Sequence, residues 1–174
     1  MIISVEEAKE LVTFDNWTDA KIERKLKAIE QVIRTYTNNN FQARAYRRTA
    51  DILGSLFVAD SLIPFDVGDT VQISESSLNE GLFTIAEVDE ATFKVNGTVK
   101  DENDVLVTKV VYPEDVIDCC INMLEWDKSN RSKVGIKSET LSRHSVTYED
   151  SNSFYMGYPK GLLGCLDLYK KARC

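Results

Sequence analysis

The sequence predicts an α+β protein in which a small helical bundle is interrupted by an antiparallel β module. Three observations indicate this fold. Helical periodicity occupies residues 4–38 and returns at 113–130. Short strand-like runs separated by turn residues fill residues 43–111 between them. A strand-like stretch at 136–149 and a short helix then complete the chain.

This alternation also predicts the domain organisation. We expect residues 1–42 and 112–174 to form one helical core, because the two stretches share the same helical patterning. Residues 43–111 are expected to form an inserted barrel or sandwich, since strands spaced at roughly 8–12 residues are typical of those folds.

The first helix is predicted over about residues 4–14. Its start is indicated by Ser4 and Glu7, which have the spacing of a capping box. In that arrangement the Ser4 hydroxyl accepts a hydrogen bond from the residue 7 amide, and the Glu7 carboxylate accepts one from the residue 4 amide. A narrow apolar face follows from Val5 to Val12.

The second helix is predicted over about residues 17–38. Its apolar residues recur at steps of four, three, four and three, the period of a half-buried helix. The asparagine run at 38–40 is expected to end it, because asparagine tolerates the left-handed backbone of a helix cap. The apolar residues are Ile22, Leu26, Ile29, Ile33 and Tyr36.

The β module is predicted from turn signals between short apolar runs. Asn96 and Gly97 form the sharpest signal, because both tolerate the positive φ of a type I′ hairpin turn. The module also carries the one basic cluster in the body of the chain, at Arg44, Arg47 and Arg48. Salt bridges to acidic neighbours are the simpler interpretation of this cluster, and contact with an acidic partner or a nucleic acid is the alternative.

After the module, a third helix is predicted over about residues 113–130, with Pro113 at its first turn. Residues 136–149 are expected to form one long strand or arm. A partly polar strand with an open edge can pair with another chain. The residues expected on one face are Ser138, Thr140, Ser142, His144, Val146 and Tyr148.

The last helix is predicted over about residues 159–172. Leu162, Leu163, Leu166 and Tyr169 form its apolar stripe. Its two glycines each cost about 1 kcal/mol relative to alanine, so the helix is expected to need a surface on which to dock. It follows a loop that carries Phe154 and Tyr155 and ends with Lys170, Lys171 and Arg173.

Composition limits the function classes. The formal net charge of the 174 residues is −7, with a pI near 4.8. This does not favour a sequence-independent DNA binder, although an acidic wall can let a polyanion slide past. No apolar run approaches the roughly 20 residues needed to cross a bilayer, and the N-terminus lacks a signal-peptide pattern. We therefore expect no membrane partner.

No stretch predicts a catalytic, cofactor or metal site. His144 is the single histidine, and nothing in the sequence places it beside a cysteine. The spacing of Cys119, Cys120, Cys165 and Cys174 fits neither a zinc site nor a disulfide framework. We expect reduced thiols that pack as small apolar groups, no cofactor, and no enzymatic activity.

Several short motifs resemble the phage head–tail connector proteins, also called adaptors, and together they span most of the chain. They lie at residues 29–41 (IEQVIRTYTNNNF), 112–116 (YPEDV), 135–139 (GIKSE), 145–148 (SVTY) and 158–173, which begins YP and ends YKKAR. The β module departs from the minimal, mostly helical members, and its segments 68–73 and 79–85 are similar to insertions in longer relatives.

The resemblance implies a structural virion protein that works without catalysis. Identical subunits would form a ring, usually a dodecamer, beneath the portal in the neck of the virion. The ring would extend the channel through which genomic DNA passes without specific binding, and it would give the stopper or tail-completion protein a docking surface. Assembly would take place in the bacterial host cytoplasm.

The resemblance also assigns contacts to residues. Portal binding would involve the C-terminal residues Leu162, Leu163, Leu166, Tyr169, Lys170, Lys171 and Arg173. Contacts to neighbouring subunits or rings would involve Ser142, His144, Val146, Tyr148, Phe154 and Tyr155.

Two other functions remain open from the sequence. The protein could be a stopper or tail-completion protein of the same virion neck, built on the same helical frame. It could also be a nucleic-acid-binding regulator that uses the β module as a small barrel, an idea supported only by the cluster of three arginines.

Overall fold

The computed structural model describes residues 1–130, 138–141, 144–147 and 153–172, the two four-residue segments by their backbone alone. It has the predicted α+β class, with helices and a closed antiparallel barrel. The chain divides into two compact units, Met1–Asn39 with Tyr112–Cys174 and Asn40–Val111. We call them the helical unit and the barrel unit.

Within its described residues, the helical unit contains three longer helices and a short one. Helix α4 continues directly into a 3-10 helix, Gly164–Tyr169. The four α-helices are α1 (Val5–Leu11), α2 (Asp19–Thr37), α3 (Glu114–Asn130) and α4 (Lys160–Leu163).

Helix α1 begins with the predicted capping box. The Glu7 amide donates to the Ser4 hydroxyl at 3.1 Å, and the Ser4 amide donates to the Glu7 carboxylate at 3.5 Å. The helix is shorter than the expected 4–14, because the backbone becomes extended at Val12. Ala8 and Val12 are buried, whereas Leu11 is 53% exposed.

Helix α2 confirms the predicted apolar face at four of its five residues, and the fifth, Tyr36, is half-buried. Ile22, Leu26, Ile29 and Ile33 are each at most 1% exposed. The Lys21 amide donates to the Thr18 hydroxyl at the start of the helix. The helix ends where the backbone of its C-cap residue, an asparagine, turns left-handed with φ of 48°.

The last helix differs from the expected continuous helix over 159–172. It is α-helical for four residues and then 3-10 for six. The helix-weakening glycines Gly161 and Gly164 lie in and just after the α-helical part. The buried leucines Leu163 and Leu166 are three residues apart, the repeat that places side chains on one face of a 3-10 helix.

The barrel unit closes in the strand order β1-β2-β5-β4-β3-β6, with β6 returning to β1 and every neighbouring pair antiparallel. Closure leaves no open edge among these six strands, all of which lie in described residues. The strands are β1 (Gln42–Leu53), β2 (Leu56–Ala59), β3 (Thr70–Ser74), β4 (Gly81–Val88), β5 (Thr92–Asn96) and β6 (Glu102–Val110).

Aromatic rings fill part of the barrel interior. Phe57 and Phe93 stack at 4.6 Å between ring centroids, and Phe65 meets Phe93 edge-on at 5.6 Å. Each of these side chains is at most 3% exposed. Aliphatic residues surround them, among them Ile52, Val71, Ile73, Ile85, Val105 and Val107.

The predicted hairpin at Asn96 and Gly97 is wrong. Strand β5 is paired with β2 on one side and β4 on the other, so the next strand cannot pair with it. A type I′ arrangement occurs instead between β1 and β2, where Gly54 and Ser55 have φ of 57° and 71°. Leu53 and Leu56 are directly opposite each other across this turn.

The expected single strand at 136–149 is also corrected. The structure has two antiparallel strands, β7 (Ser138–Leu141) and β8 (His144–Thr147), with Ser138 opposite Thr147. Leu141 is likewise opposite His144, so the two segments run in opposite directions, which the sequence pattern of a single strand could not reveal.

Two further short strands precede α4. Strands β9 (Phe154–Tyr155) and β10 (Tyr158–Pro159) pair as a tight hairpin around Met156 and Gly157. Both turn residues have positive φ, 50° and 83°.

Candidate interaction site

The C-terminal segment, residues 160–172, is anchored in the helical unit by its own apolar stripe. Leu163 and Leu166 are fully buried at 0% exposure. The Cys119 thiol of α3 donates to the Leu162 carbonyl at 3.2 Å. The expected contact of Leu163 and Leu166 with a portal stays a prediction, and in this structure both side chains are buried within the chain itself. The sequence pattern identified an apolar face that the chain itself covers.

The residues at the end of α2 hold the segment through hydrogen bonds to the backbone of the segment. The Asn39 side-chain amide donates to the Tyr169 carbonyl at 3.2 Å, and the Lys171 amide donates to the Thr37 carbonyl at 2.8 Å. The Asn38 side chain also donates to the Lys171 carbonyl at 3.4 Å. The asparagines that end the helix thus also fix the path of the C-terminal segment.

The start of α3 holds the same segment by a side chain. The Tyr169 hydroxyl lies 2.6 and 2.7 Å from the two Asp115 carboxylate oxygens. Accepting this hydrogen bond, the carboxylate raises the pKa of Tyr169 above its ordinary value. Tyr169 is half-buried and structural, with its hydroxyl committed to the helical unit.

A polar and aromatic cluster lies on the surface of the segment. The Tyr36 hydroxyl donates to Asp167 at 2.7 Å, and the Lys170 ammonium lies 2.6 Å from the same carboxylate. Lys170 also lies 3.9 Å from the centre of the Tyr36 ring, and the Tyr155 ring meets Tyr36 edge-on at 5.6 Å. The hydrogen bonds from Lys170 and then Tyr36 lower the pKa of Asp167.

The face of the segment opposite its buried leucines is open to solvent. Leu168 is 87% exposed, the highest value among the exposed large apolar side chains of the described residues. Lys170 and Lys171 are exposed beside it. An exposed leucine beside two lysines can contact an apolar depression with an acidic rim.

The remaining predicted contact residues are divided between described and undescribed parts of the chain. Phe154 is half-buried and packs edge-on against Trp126 at 5.8 Å between centroids. Tyr155 is 49% exposed. Only the backbone of His144 and Val146 is described, and Ser142, Tyr148 and Arg173 lie outside the described residues.

A buried polar pair links α2 to the stretch between β6 and α3. The Tyr112 hydroxyl donates to the Glu30 carboxylate at 2.7 Å, and Glu30 is 5% exposed. Burial and then the nearby Glu30 charge raise the pKa of Tyr112 far above its ordinary value. Tyr112 therefore stays a hydrogen-bond donor at any ordinary pH.

A second buried carboxylate joins α2, α3 and β10. Asp127 accepts a hydrogen bond from the Tyr158 hydroxyl at 2.7 Å and lies 3.3 Å from the Lys25 ammonium. Its side chain is completely buried. Such a group is tolerated because its partners replace the lost water.

The arginine cluster of the barrel is largely engaged within that unit. Arg47 donates to the Thr108 hydroxyl at 3.0 Å, and Arg48 donates to the Leu62 carbonyl at 2.7 Å. Arg44 is exposed. Two of the three guanidinium groups thus stabilise strand β1 and its neighbours.

Sequence reasoning did not identify Leu168 or the cluster around Tyr36 and Asp167. Leu168 had a weak signal, since it falls off the three-residue repeat of the buried leucines. Tyr36 and Asp167 are 131 residues apart, and no local pattern indicates their contact.

Within the part of the chain that the structure describes, no group of three or more His, Cys, Asp or Glu residues is placed to hold a metal ion. Among the same residues, no helix is long and apolar enough to span a bilayer. Searches against protein-family models and against curated proteins return no match for this chain.

Proposed function

We propose that the protein is a structural head–tail connector, or adaptor, of a phage neck. One observation supports this most. The segments whose sequences resemble connectors hydrogen-bond to one another in the helical unit, through Glu30 with Tyr112, Asn39 with Tyr169, and Asp115 with Tyr169. Motifs that are scattered along the sequence thus belong to one structural core.

In this proposal, copies of the chain form a ring beneath the portal and extend the DNA channel. A net charge of −7 favours passage of the genome without specific binding, because an acidic surface does not retain a polyanion. The ring would lie in the virion neck after assembly in the bacterial host cytoplasm. Its other partner would be the stopper or tail-completion protein.

The portal contact is assigned to the exposed face of the C-terminal segment. Leu168 supplies an apolar anchor, and Lys171 supplies positive charge near it, whereas the Lys170 ammonium is paired with Asp167 at 2.6 Å. Leu163 and Leu166 take the supporting role, because their burial holds this face in position. The complementary portal surface would be an apolar depression with carboxylates at its rim.

To test this, the purified protein is mixed with portal rings of the same phage, and the mixture is examined by sedimentation and by negative-stain imaging. We expect an additional ring of density on one end of the portal. Leu168→Ser should abolish or strongly weaken this binding, whereas Leu11→Ser, which alters a 53% exposed leucine on α1, should leave it intact.

Two outcomes would contradict the proposal. The first is that the protein fails to associate with portal rings even at low salt, where contacts between charged surfaces are strongest. The second is that it binds only to heads that already carry another neck ring. That order of addition would assign it as the stopper or tail-completion protein.

A further inference from the structure

Two cysteines from distant parts of the helical unit converge on one carbonyl group. The Cys119 sulfur lies 3.2 Å from the Leu162 carbonyl oxygen, and the Cys165 sulfur lies 3.4 Å from the same oxygen. Cys119 belongs to α3, and Cys165 belongs to the 3-10 helix of the C-terminal segment. The two thiols are therefore neighbours although 46 positions separate them in sequence.

The two neighbouring thiols differ in exposure. Cys119 is 2% exposed, whereas Cys165 is exposed to solvent. Burial, followed by the nearby Cys165 thiol, raises the pKa of Cys119. Cys165 is thus the thiol that a reagent in solution meets first, and Cys119 is a protected thiol directly beside it.

We propose that Cys119 and Cys165 are a redox-responsive pair that a small disulfide, such as oxidised glutathione, converts into an intramolecular disulfide. Cys120 is excluded as the partner by its position. It is adjacent to Cys119 on a helix, so its side chain projects about 100° away around the axis, and it is fully buried.

The reaction is two successive thiol–disulfide exchanges. The Cys165 thiolate attacks one sulfur of oxidised glutathione, which forms a mixed disulfide and releases one glutathione thiolate. Cys119 then gives up its proton and attacks the Cys165 sulfur, which forms the protein disulfide and releases the second glutathione thiolate. The two protons lost by the protein thiols are taken up by the two glutathione thiolates. The protein pair is oxidised, and glutathione disulfide is reduced.

The disulfide would join α3 covalently to the C-terminal segment. In a reducing compartment the segment is held by non-covalent contacts, so it can open locally. In an oxidising medium the cross-link would prevent that opening, because it closes the loop between the two cysteines. Oxidation removes only two weak thiol donors from the Leu162 carbonyl, a small loss. This inference does not depend on the proposed function.

The experiment uses the full-length protein with Cys174→Ser, which removes the one cysteine that lies outside the described residues. The protein is incubated with oxidised glutathione at about pH 8.5, near the ordinary pKa of a thiol, and then mapped by mass spectrometry without reduction. We expect a loss of mass equal to two hydrogen atoms and one cross-linked peptide pair that contains Cys119 and Cys165. Reduction should reverse both changes.

Two variants separate the steps. Cys119→Ala should stop at the mixed disulfide, with one glutathione held on Cys165. Cys165→Ser should leave Cys119 reduced, because that thiol is buried. In the oxidised parent protein, amide exchange of residues 164–172 should slow by about tenfold or more, since the cross-link opposes local opening.

Either of two results would overturn the inference. One is a stable glutathione adduct on Cys165 in the parent protein that never resolves, which would mean that Cys119 cannot reach it. The other is a cross-link that involves Cys120. Loss of portal binding would leave the inference unaffected, so the two proposals fail separately.

Discussion

The helical unit and the barrel unit are stabilised in different ways. The helical unit is made of two stretches separated by 72 residues of the barrel, and polar side chains join them: Glu30 with Tyr112 and Asn39 with Tyr169. The barrel unit is one continuous stretch, closed by its strand ladder around an aromatic and aliphatic interior. A discontinuous unit needs specific long-range contacts, whereas a closed barrel obtains its order from hydrogen-bonded neighbours on both sides of every strand.

The two units also differ in charge. Residues 40–111 contain twelve acidic and six basic residues, a net charge of −6, while the helical unit contains sixteen acidic and fifteen basic residues. Like charges oppose the close approach of identical surfaces. Electrostatic repulsion between identical surfaces is therefore weaker for the nearly neutral helical unit than for the acidic barrel unit.

The ends of the barrel stretch lie beside each other. The Val111 amide donates to the Phe41 carbonyl at 3.0 Å, and Gln42 pairs with Val110. An inserted module with adjacent ends can be accommodated in a host fold at a single surface position. This explains how a helical frame can hold a complete β unit between α2 and α3.

The largest expected effect comes from breaking the barrel interior. Phe93→Ala removes a ring that is 1% exposed and contacts both Phe57 and Phe65. We expect the free energy of unfolding of the barrel to fall by about 3–5 kcal/mol. Circular dichroism at strand wavelengths during urea titration would measure it. Val58→Ala, in the neighbouring strand and 38% exposed, should change it by less than about 1 kcal/mol.

The same variant tests whether the units unfold separately. Both tryptophans of the chain, Trp17 and Trp126, lie in the helical unit, so tryptophan fluorescence reports that unit alone. In Phe93→Ala the urea midpoint measured by fluorescence should stay unchanged, while the urea midpoint of the barrel measured by circular dichroism should fall. Equal shifts in the two signals would show that the contrast between the units does not extend to their stability.

A smaller loss of stability is expected when the buried Asp127 carboxylate of the helical unit loses one of its hydrogen bonds. Tyr158→Phe removes the hydroxyl that donates to the buried Asp127 carboxylate at 2.7 Å. A hydrogen bond to a charged group contributes about 1.5–3 kcal/mol, so the fluorescence midpoint in urea should fall accordingly. Tyr46→Phe, whose ring is 47% exposed in the barrel, is the matched control and should leave the midpoint unchanged. A neutral Tyr158→Phe would mean that Asp127 is satisfied without the Tyr158 hydroxyl.

The sequence was sufficient to predict an element of structure where a local pattern is compatible with only one conformation. The capping box at Ser4 and Glu7 and the apolar face of α2 involve residues within a few turns of each other, and both are present. The closure of the barrel was open in the sequence, because β1 and β6 are about sixty residues apart and the strand pattern is equally suited to a sandwich. Asn96 and Gly97 fit a hairpin turn, but pairing on both edges of β5 prevented it.

The candidate site shows the same limit. The leucine repeat at 163 and 166 indicated that the C-terminal helix has a face to bury, and the face is buried. A one-dimensional pattern cannot show whether the covering surface belongs to the same chain or to a partner. Here α3 and the end of α2 meet the segment through Cys119, Asn39 and Asp115. The exposed Leu168 becomes visible only once the buried face is known.

The smallest expected effect is local and depends on pH. Glu102 of β6 accepts hydrogen bonds from Ser76, Ser77 and Asn79, which fixes the loop that follows β3. The Ser76 hydrogen bond, with the others, lowers the pKa of Glu102 below its ordinary 4.5. A carboxyl group with a depressed pKa in the folded state stabilises that state above its unfolded pKa, and this contribution is lost as the pH falls through the folded value.

Glu102→Gln should therefore speed amide exchange at Ser77 and Leu78 near neutral pH. The difference from the parent protein should vanish below the depressed pKa, where the parent carboxyl is also neutral.

Lys94→Gln, which breaks the exposed pair with Glu87 elsewhere on the barrel, is the control and should leave the exchange of these amides unchanged at every pH. A difference between Glu102→Gln and the parent that persists in acid would mean that the shape of the side chain, rather than its charge, holds the loop.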